Sequence, residues 1–326
     1  MHLDAFELHR PETLSETVRL AQQLTGQADF LAGGTDLLPN YKMHLNLRPH
    51  LIALDRVAEL GGLSLDRFGA AVSLGALERF QGLASAYPGV ADAVAEVATP
   101  LVRATATVGG NLLVETRCFF FNQSHFWRQS LGYCLKADGD RCHVVPQKER
   151  CYATFSGDLA PALMVLDAEV EVAGASGVRR IPLRDLYDRQ GDGIRRVTLA
   201  PGELLVAVHL PPAARQYRAS YLKLRVRPSF DFPELGVAVA ARIDGDRIED
   251  LRLAVGGLES YPRRFDELTA LPAGERWSED RLRDLASAVS SAVRPVRNTS
   301  LAPDYRKRMA GVYVRRAIAR MRQRAG

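Results

Sequence analysis

All four cysteines of the chain fall within 34 residues, Cys118, Cys134, Cys142 and Cys151, in the spacing C-x15-C-x7-C-x8-C. Four cysteines placed at random along 326 residues would rarely be confined this way. A cytoplasmic chain has little use for stabilising disulfides, so a shared metal or cluster is the natural reading. Four thiolates can hold zinc or an iron-sulfur cluster. Structural zinc sites usually use close pairs such as C-x2-C, whereas these cysteines are never nearer than eight positions, which better suits a loop wrapped round a 4Fe-4S cube. Zinc and buried free thiols or disulfides stay open as alternatives. The same segment carries Phe119, Phe120, Phe121, Phe126 and Trp127, enough apolar surface to keep water from a redox centre. His125 and His143 lie there too. With four cysteines sufficient, both are expected to be supporting polar residues.

The segment from about residue 115 to 152 interrupts an otherwise regular pattern and divides the chain. Up to about Asp55, a capping box Thr13-Leu14-Ser15-Glu16 opens a helix through Leu24, and short strands are expected at Phe30-Leu31-Ala32 and Leu51 to Leu54. From Arg56 to Pro212 the pattern predicts a strand around Val72-Ser73-Leu74, helices near Leu77 to Ala84 and Ala91 to Ala98, and alternation over Met164 to Val172 and Leu204 to Leu210. Pro211-Pro212 is a plausible border. Beyond Tyr217, Gly236 to Ile243 and Ile248 to Val255 flank Asp244-Gly245-Asp246 and read as a β-hairpin, followed by helices from Glu279 to Val293 and from Asp304 to the end. Strands first and helices last give an α+β fold.

Two glycine pairs stand out. Gly33-Gly34-Thr35-Asp36 ends an apolar strand, where glycines permit unusual dihedrals and backbone N–H groups can converge on anionic oxygens. Thr105-Ala106-Thr107-Val108-Gly109-Gly110-Asn111 offers a second such turn flanked by hydroxyls and an amide. Either pair alone is more often a plain tight turn. Neither G-x-G-x-x-G in a strand-to-helix setting nor G-x-x-x-x-G-K-[ST] occurs, so Rossmann and P-loop folds are set aside.

The net charge of +5 raises the question of nucleic acid. Much of the excess lies after Pro303, where Arg306, Lys307, Arg308, Arg315, Arg316, Arg320, Arg322 and Arg324 face Asp304 alone. Met309, Val312, Tyr313, Ala317 and Met321 recur among them at helical spacing, which reads as a basic amphipathic helix, solvated or facing another subunit. No stacking aromatics or binding motif accompany it, so no nucleic-acid partner is expected. The start MHLDAFELHRPETL lacks a basic lead into an apolar core, and no window approaches about 18 uninterrupted apolar residues. No membrane partner is expected, and the cytoplasm is the expected location.

The phrases FLAGGTDLLP (Phe30 to Pro39), ATVGGNLL (Ala106 to Leu113), SGDLAPALMVLDAEVEV (Ser156 to Val172), KLRVRPSFDFP (Lys223 to Pro233) and RLAVGGL (Arg252 to Leu258) together resemble the FAD subunits of the xanthine-oxidase family over nearly the whole chain. In most relatives the GGN segment runs almost directly into the acidic segment. The cysteine insert that separates them here resembles that of 4-hydroxybenzoyl-CoA reductase beta subunits, where it carries a 4Fe-4S cluster.

This resemblance implies an FAD-binding domain over residues 1–212, with subdomains of about 1–55 and 56–212, and a smaller α+β C-terminal domain of the CO dehydrogenase flavoprotein type over 213–326. It implies that Leu31, Ala32, Gly33, Gly34, Thr35, Asp36 and Leu37 hold the FAD diphosphate and ribose, with Thr107, Gly110 and Asn111 closing from the other subdomain. Val97 matches a residue lining the adenine pocket, and Val114 a backbone contact beyond the GGN turn. Asp158 matches an acid that hydrogen-bonds the flavin side, and Lys223 a lysine near the isoalloxazine. Leu204 or Leu205 would pack on the ring. From the residues themselves, Asp158 could equally cap a helix and Lys223 be a surface charge on an edge strand.

The chemistry so implied is electron relay without a catalytic residue in this chain. Ferredoxin would reduce the 4Fe-4S cluster, and electrons would pass through FAD to the 2Fe-2S clusters of a small subunit and the molybdenum cofactor of a large subunit, in a heterotrimer that dehydroxylates 4-hydroxybenzoyl-CoA in anaerobic aromatic degradation. A flavin subunit of another molybdenum hydroxylase, acting on a different aromatic or heterocyclic substrate, is the main alternative. A zinc-loop assembly module with no catalytic role is the alternative of another class.

Overall fold

Three strands near the start, β1 (Glu7–His9), β2 (Ala28–Leu31) and β3 (His50–Ala53), pair in parallel in the order β1-β3-β2. The computed structural model describes residues 3–228, 230–245, 247–270 and 275–324. The helix Leu14–Gln23 links the first two strands, and Thr13 caps it by accepting from Glu16 N at 3.2 Å. The expected box closes one position early: Glu16 Oε2 accepts from Glu12 N at 3.0 Å, so the reciprocal bond lies ahead of the cap.

The second sheet is antiparallel, in the order β4-β7-β5-β6, from β4 (Arg67–Gly69), β5 (Glu169–Gly174), β6 (Gly177–Pro182) and β7 (Leu204–His209). The strand predicted at Val72-Ser73-Leu74 is not formed. Ser73 Oγ accepts from Ala76 N at 3.1 Å and caps a helix over Leu74–Glu78, so the apolar pair enters the core at a helix start. The predicted helices near Leu77 to Ala84 and Ala91 to Ala98 resolve into Leu74–Glu78, Leu83–Ala86 and Pro88–Ala95. Gly82, at φ +87°, separates the first two. Met164 closes the helix Leu159–Met164, and strand alternation begins only at Glu169.

The third sheet runs β11-β10-β9-β8, with β8 (Arg218–Leu224), β9 (Leu235–Asp244), β10 (Arg247–Gly256), β11 (Arg263–Arg264) and, paired to β10, β12 (Glu275–Arg276). The β9–β10 hairpin lies where expected; Asp246 of its turn, like Ser229, Met1, His2 and the last two residues, lies outside the described residues. Both faces of β9 are buried. Ala238 and Ala240 join the core shared with Leu159, Leu163, Phe68 and Val208, while Val237 and Val239 face the helices Glu279–Ala292 and Pro303–Gln323.

The basic C-terminal helix is neither wholly solvated nor reserved for another subunit. Ala310, Val314, Ala317, Ile318 and Met321 pack into the third sheet's core, leaving Met309 and Tyr313 half-buried at its flank. Arg306 is fully buried, its Nε donating to the Glu234 carbonyl at 3.0 Å and one terminal nitrogen to Asn298 Oδ1 at 3.1 Å. Among the described residues, no helix is long and apolar enough to cross a membrane.

Candidate functional site

The two glycine segments, more than seventy positions apart in the chain, meet in space. A Cβ built on Gly33 would lie 1.9 Å from the Thr105 carbonyl oxygen and 3.1 Å from Ala106 Cα, so the loop after β2 rests directly on the backbone leading into the second pair. Gly34 adopts φ +69°, the left-handed conformation that suits glycine, and turns Leu31 and Ala32 into Thr35, Asp36 and the helix Leu37–Lys42. On the other side Thr107 caps Val108–Leu112, its Oγ1 accepting from Gly110 N at 3.1 Å. Asn111 Oδ1 accepts from Leu159 N at 3.0 Å, tying the second turn to the buried helix Leu159–Met164. Val97 and Val114 are both in the core beneath this region, and Val97 O accepts from Arg103 at 2.8 Å.

Asp36 faces the cysteine insert. Its carboxylate pairs with Arg117 and accepts from Glu115 N at 3.4 Å, and Arg117 also donates to Asn40 Oδ1 at 2.8 Å. Arg117 Nε is buried and has no hydrogen-bond partner among the described residues. The guanidinium charge is met by Asp36, and Arg117 also donates to Asn122 Oδ1 at 3.0 Å, which ties the cysteine insert to the end of the first glycine loop.

Asp158 and Lys223, 65 positions apart, form one buried pair. Lys223 Nζ donates to Asp158 Oδ2 at 3.0 Å and to Glu96 O at 2.8 Å, and the Tyr221 hydroxyl donates to Asp158 Oδ1 at 2.6 Å. Burial pushes the Asp158 carboxyl above its ordinary range, with the Lys223 charge and the Tyr221 and Lys223 hydrogen bonds acting against it. Asp158 occupies the cap position of Leu159–Met164 yet makes no capping bond, and Lys223 on edge strand β8 is fully covered. Both simpler readings of these residues are thereby removed. Leu204 and Leu205 are buried on opposite faces of β7; Leu205 abuts Gly109, while Leu204 packs with Leu54 and Leu60.

All four cysteines are buried free thiols lining one cavity with Phe120, Phe121 and His143. Ala153 N donates to Cys151 Sγ at 3.4 Å, and a Cβ on Gly193 would come within 3.0 Å of that sulfur. Burial pushes the Cys118 thiol up to about 11 and the Cys151 thiol up to about 12. No disulfide joins these four thiols, and among the described residues no three of their sulfurs lie within 4.8 Å of one another, so they are not drawn together about a single ion. His143 Nε2 meets the Tyr133 carbonyl and His125 meets the Tyr133 hydroxyl at 3.3 Å, so both imidazoles have protein partners.

Lys136 borders the same cavity with its side chain almost wholly covered, donating to Glu115 Oε1 at 2.7 Å and to Gly193 O at 2.6 Å. Arg196 Nε also donates to Glu115 at 3.1 Å. Burial pushes Glu115 up, but Arg196, Lys136 and the Thr116 N–H together hold it down at about 2. The sequence reading named none of Glu115, Lys136, Arg117, Arg196 or Tyr221. Tyr221 could have been found as the residue two before Lys223 on one face of a strand. The others join through long-range contacts that leave no local signal.

Residues 4–213 match the family described as FAD binding domain in molybdopterin dehydrogenase, and residues 219–321 the CO dehydrogenase flavoprotein C-terminal domain. The chain is 36% identical over 282 residues to the aldehyde oxidoreductase FAD-binding subunit PaoB of Escherichia coli (strain K12), covering 82% of this chain and 86% of that protein. It is 27% identical over 326 residues to the carbon monoxide dehydrogenase medium chain of Afipia carboxidovorans, covering 98% of each. Among solved structures, carbon monoxide dehydrogenase from Hydrogenophaga pseudoflava shares the fold with a TM-score of 0.79 at 24% identity, covering 98% of both chains. The chain therefore belongs to the FAD-binding medium subunits of the molybdenum hydroxylase family.

Proposed function

We propose that this chain is the electron-transferring flavin subunit of a molybdenum hydroxylase whose substrate reacts on a partner chain. The observation that carries the reading is Gly33 seated against Thr105, which brings both glycine segments to one place. In this reading the Leu31 to Leu37 loop and Thr107, Gly110 and Asn111 hold the FAD diphosphate, Val97 and Val114 border the cofactor, and Asp158 with Lys223 sets a fixed charge pair near the ring. Residues 1–212 form the FAD-binding domain and 213–326 the C-terminal domain. Bound FAD exchanges electrons singly or in pairs, which lets it join one-electron centres to two-electron chemistry. A large molybdenum-cofactor chain and a small 2Fe-2S chain are the partners. Similarity favours an ordinary hydroxylase, and the aldehyde oxidoreductase named for PaoB makes aldehydes the first substrate class to test.

A second reading rests on the cysteine cavity. Cys118, Cys134, Cys142 and Cys151 hold a 4Fe-4S cluster, and the complex works as a ferredoxin-driven 4-hydroxybenzoyl-CoA reductase in the cytoplasm. One preparation separates the readings. The complex is purified without oxygen, and flavin, iron, sulfide and zinc are determined on the isolated flavin subunit. Aldehyde oxidation and ferredoxin-dependent reduction of 4-hydroxybenzoyl-CoA are then assayed on the complex. About one FAD with four iron and four sulfide on this subunit supports the cluster. Loss of the ring hydroxyl to give benzoyl-CoA and water supports the reductase, and aldehyde turnover alone supports the hydroxylase. Zinc with no flavin in folded protein rejects both.

A further inference from the structure

The first sheet holds a group of side chains that neither the glycine loops nor the cysteine cavity uses. Glu7 and His9 are alternate residues of β1, so both leave the same face, and His50 opens β3 directly opposite Glu7. His9 Nε2 lies 3.2 Å from His50 Nδ1 and 3.7 Å from Glu7 Oε1, and His50 Nδ1 lies 3.4 Å from Glu7 Oε2. Three lone-pair-bearing groups from two neighbouring strands thus converge on a single point.

These separations match a metal face. Zinc binds imidazole nitrogen at about 2.0–2.1 Å, and a tetrahedron of that size sets neighbouring ligand atoms about 3.3 Å apart. His9 Nε2 and His50 Nδ1 face one another, so at most one of the two can donate across the gap. A divalent cation would satisfy all three groups at once. The His9 and His50 side chains are 19% and 21% exposed, while Glu7 is largely in solvent, so an ion can reach the point and keep a water in its fourth position.

We propose that Glu7, His9 and His50 form a zinc site that pins β1 to β3. β3 is the central strand of its sheet, and its other neighbour β2 runs into the Gly33-Gly34 turn, so the ion would brace the sheet that carries that loop. Imidazole and carboxylate donors suit zinc over the hard cations magnesium and calcium.

The test uses the full complex as purified, with whatever the cysteines hold left in place. Zinc is titrated calorimetrically into wild type, His50→Gln and His9→Asn, and a crystal soaked in zinc is measured at the zinc absorption edge. One added zinc per chain in wild type, weakened roughly 100-fold or lost in the variants, supports the site, as does an anomalous peak between Glu7, His9 and His50. Equal zinc uptake by wild type and variants, or an edge map with no peak at this triangle, overturns it. Should either variant fail to fold, the wild-type edge map decides alone.

Discussion

Lys223 Nζ sits 3.0 Å from Asp158 Oδ2 with both side chains out of solvent, joining the third sheet to the start of the helix Leu159–Met164. Removing one member of such a pair leaves the other charge buried without compensation, which costs about 3–5 kcal/mol. Lys223→Met should lower the urea stability of the chain by that order. The double change Lys223→Met with Asp158→Asn should recover most of the loss, because Tyr221 can still hydrogen-bond the amide. A loss in the double variant equal to the sum of the losses from Lys223→Met and Asp158→Asn alone would show that the pair is not coupled.

Gly33 is held against backbone, not against a side chain that could swing aside. Gly33→Ala should cost about 3 kcal/mol or more, the upper range for overpacking, and should strip bound flavin. Gly110→Ala meets only the Thr107 hydroxyl at 3.0 Å and should cost about 1 kcal/mol. Flavin absorbance after gel filtration, with a denaturation curve for each variant, reads both effects.

Glu115 provides an acid-dependent term. Its carboxyl is held at about 2 against an ordinary 4.5, so the unfolded chain binds more protons between those values. The stability it contributes is complete above pH 4.5 and is lost as pH falls towards 2, by about 3 kcal/mol in total. Denaturation midpoints of Glu115→Gln should lie below wild type at neutral pH, since Lys136 loses its partner, and should fall less steeply with acid. Parallel pH curves would reject the assignment.

In the metal-free chain, burial holds the Cys118 and Cys151 thiols protonated well above neutrality. All four thiols are also buried, so a thiol reagent at pH 8 should react slowly with the folded protein and reach four groups per chain only on unfolding. Rapid labelling of all four in folded protein would contradict the buried cavity. If the complex carries iron or zinc on this chain, Cys134→Ser should lower that content while leaving the flavin in place.

Local chemistry made much of this chain legible. The β9–β10 hairpin followed from two apolar runs about Asp-Gly, and the final two helices from their 3.6-residue periodicity. The cysteine spacing picked out one loop, and all four thiols line one cavity there. Val72 to Leu74 misled because an apolar-polar-apolar triplet fits a strand and a capped helix start alike, and Ser73 favoured the cap. The apolar stripe of the last helix was read one residue early at Met309 and Tyr313, because periodicity gives a face but not the neighbour it meets.

By itself, then, the sequence determined what short-range rules encode: element types, the two glycine turns, the cysteine loop and, through its motifs, the family. Tertiary structure alone decided which distant groups meet. The pairing of Lys223 with Asp158, Arg117 with Asp36, Lys136 with Glu115, and His9 with His50 each joins residues at least twenty positions apart in the chain. A charge in a sequence carries no mark of its partner. Burial and strand order supply that partner, and the low-dielectric interior then makes the choice energetically decisive.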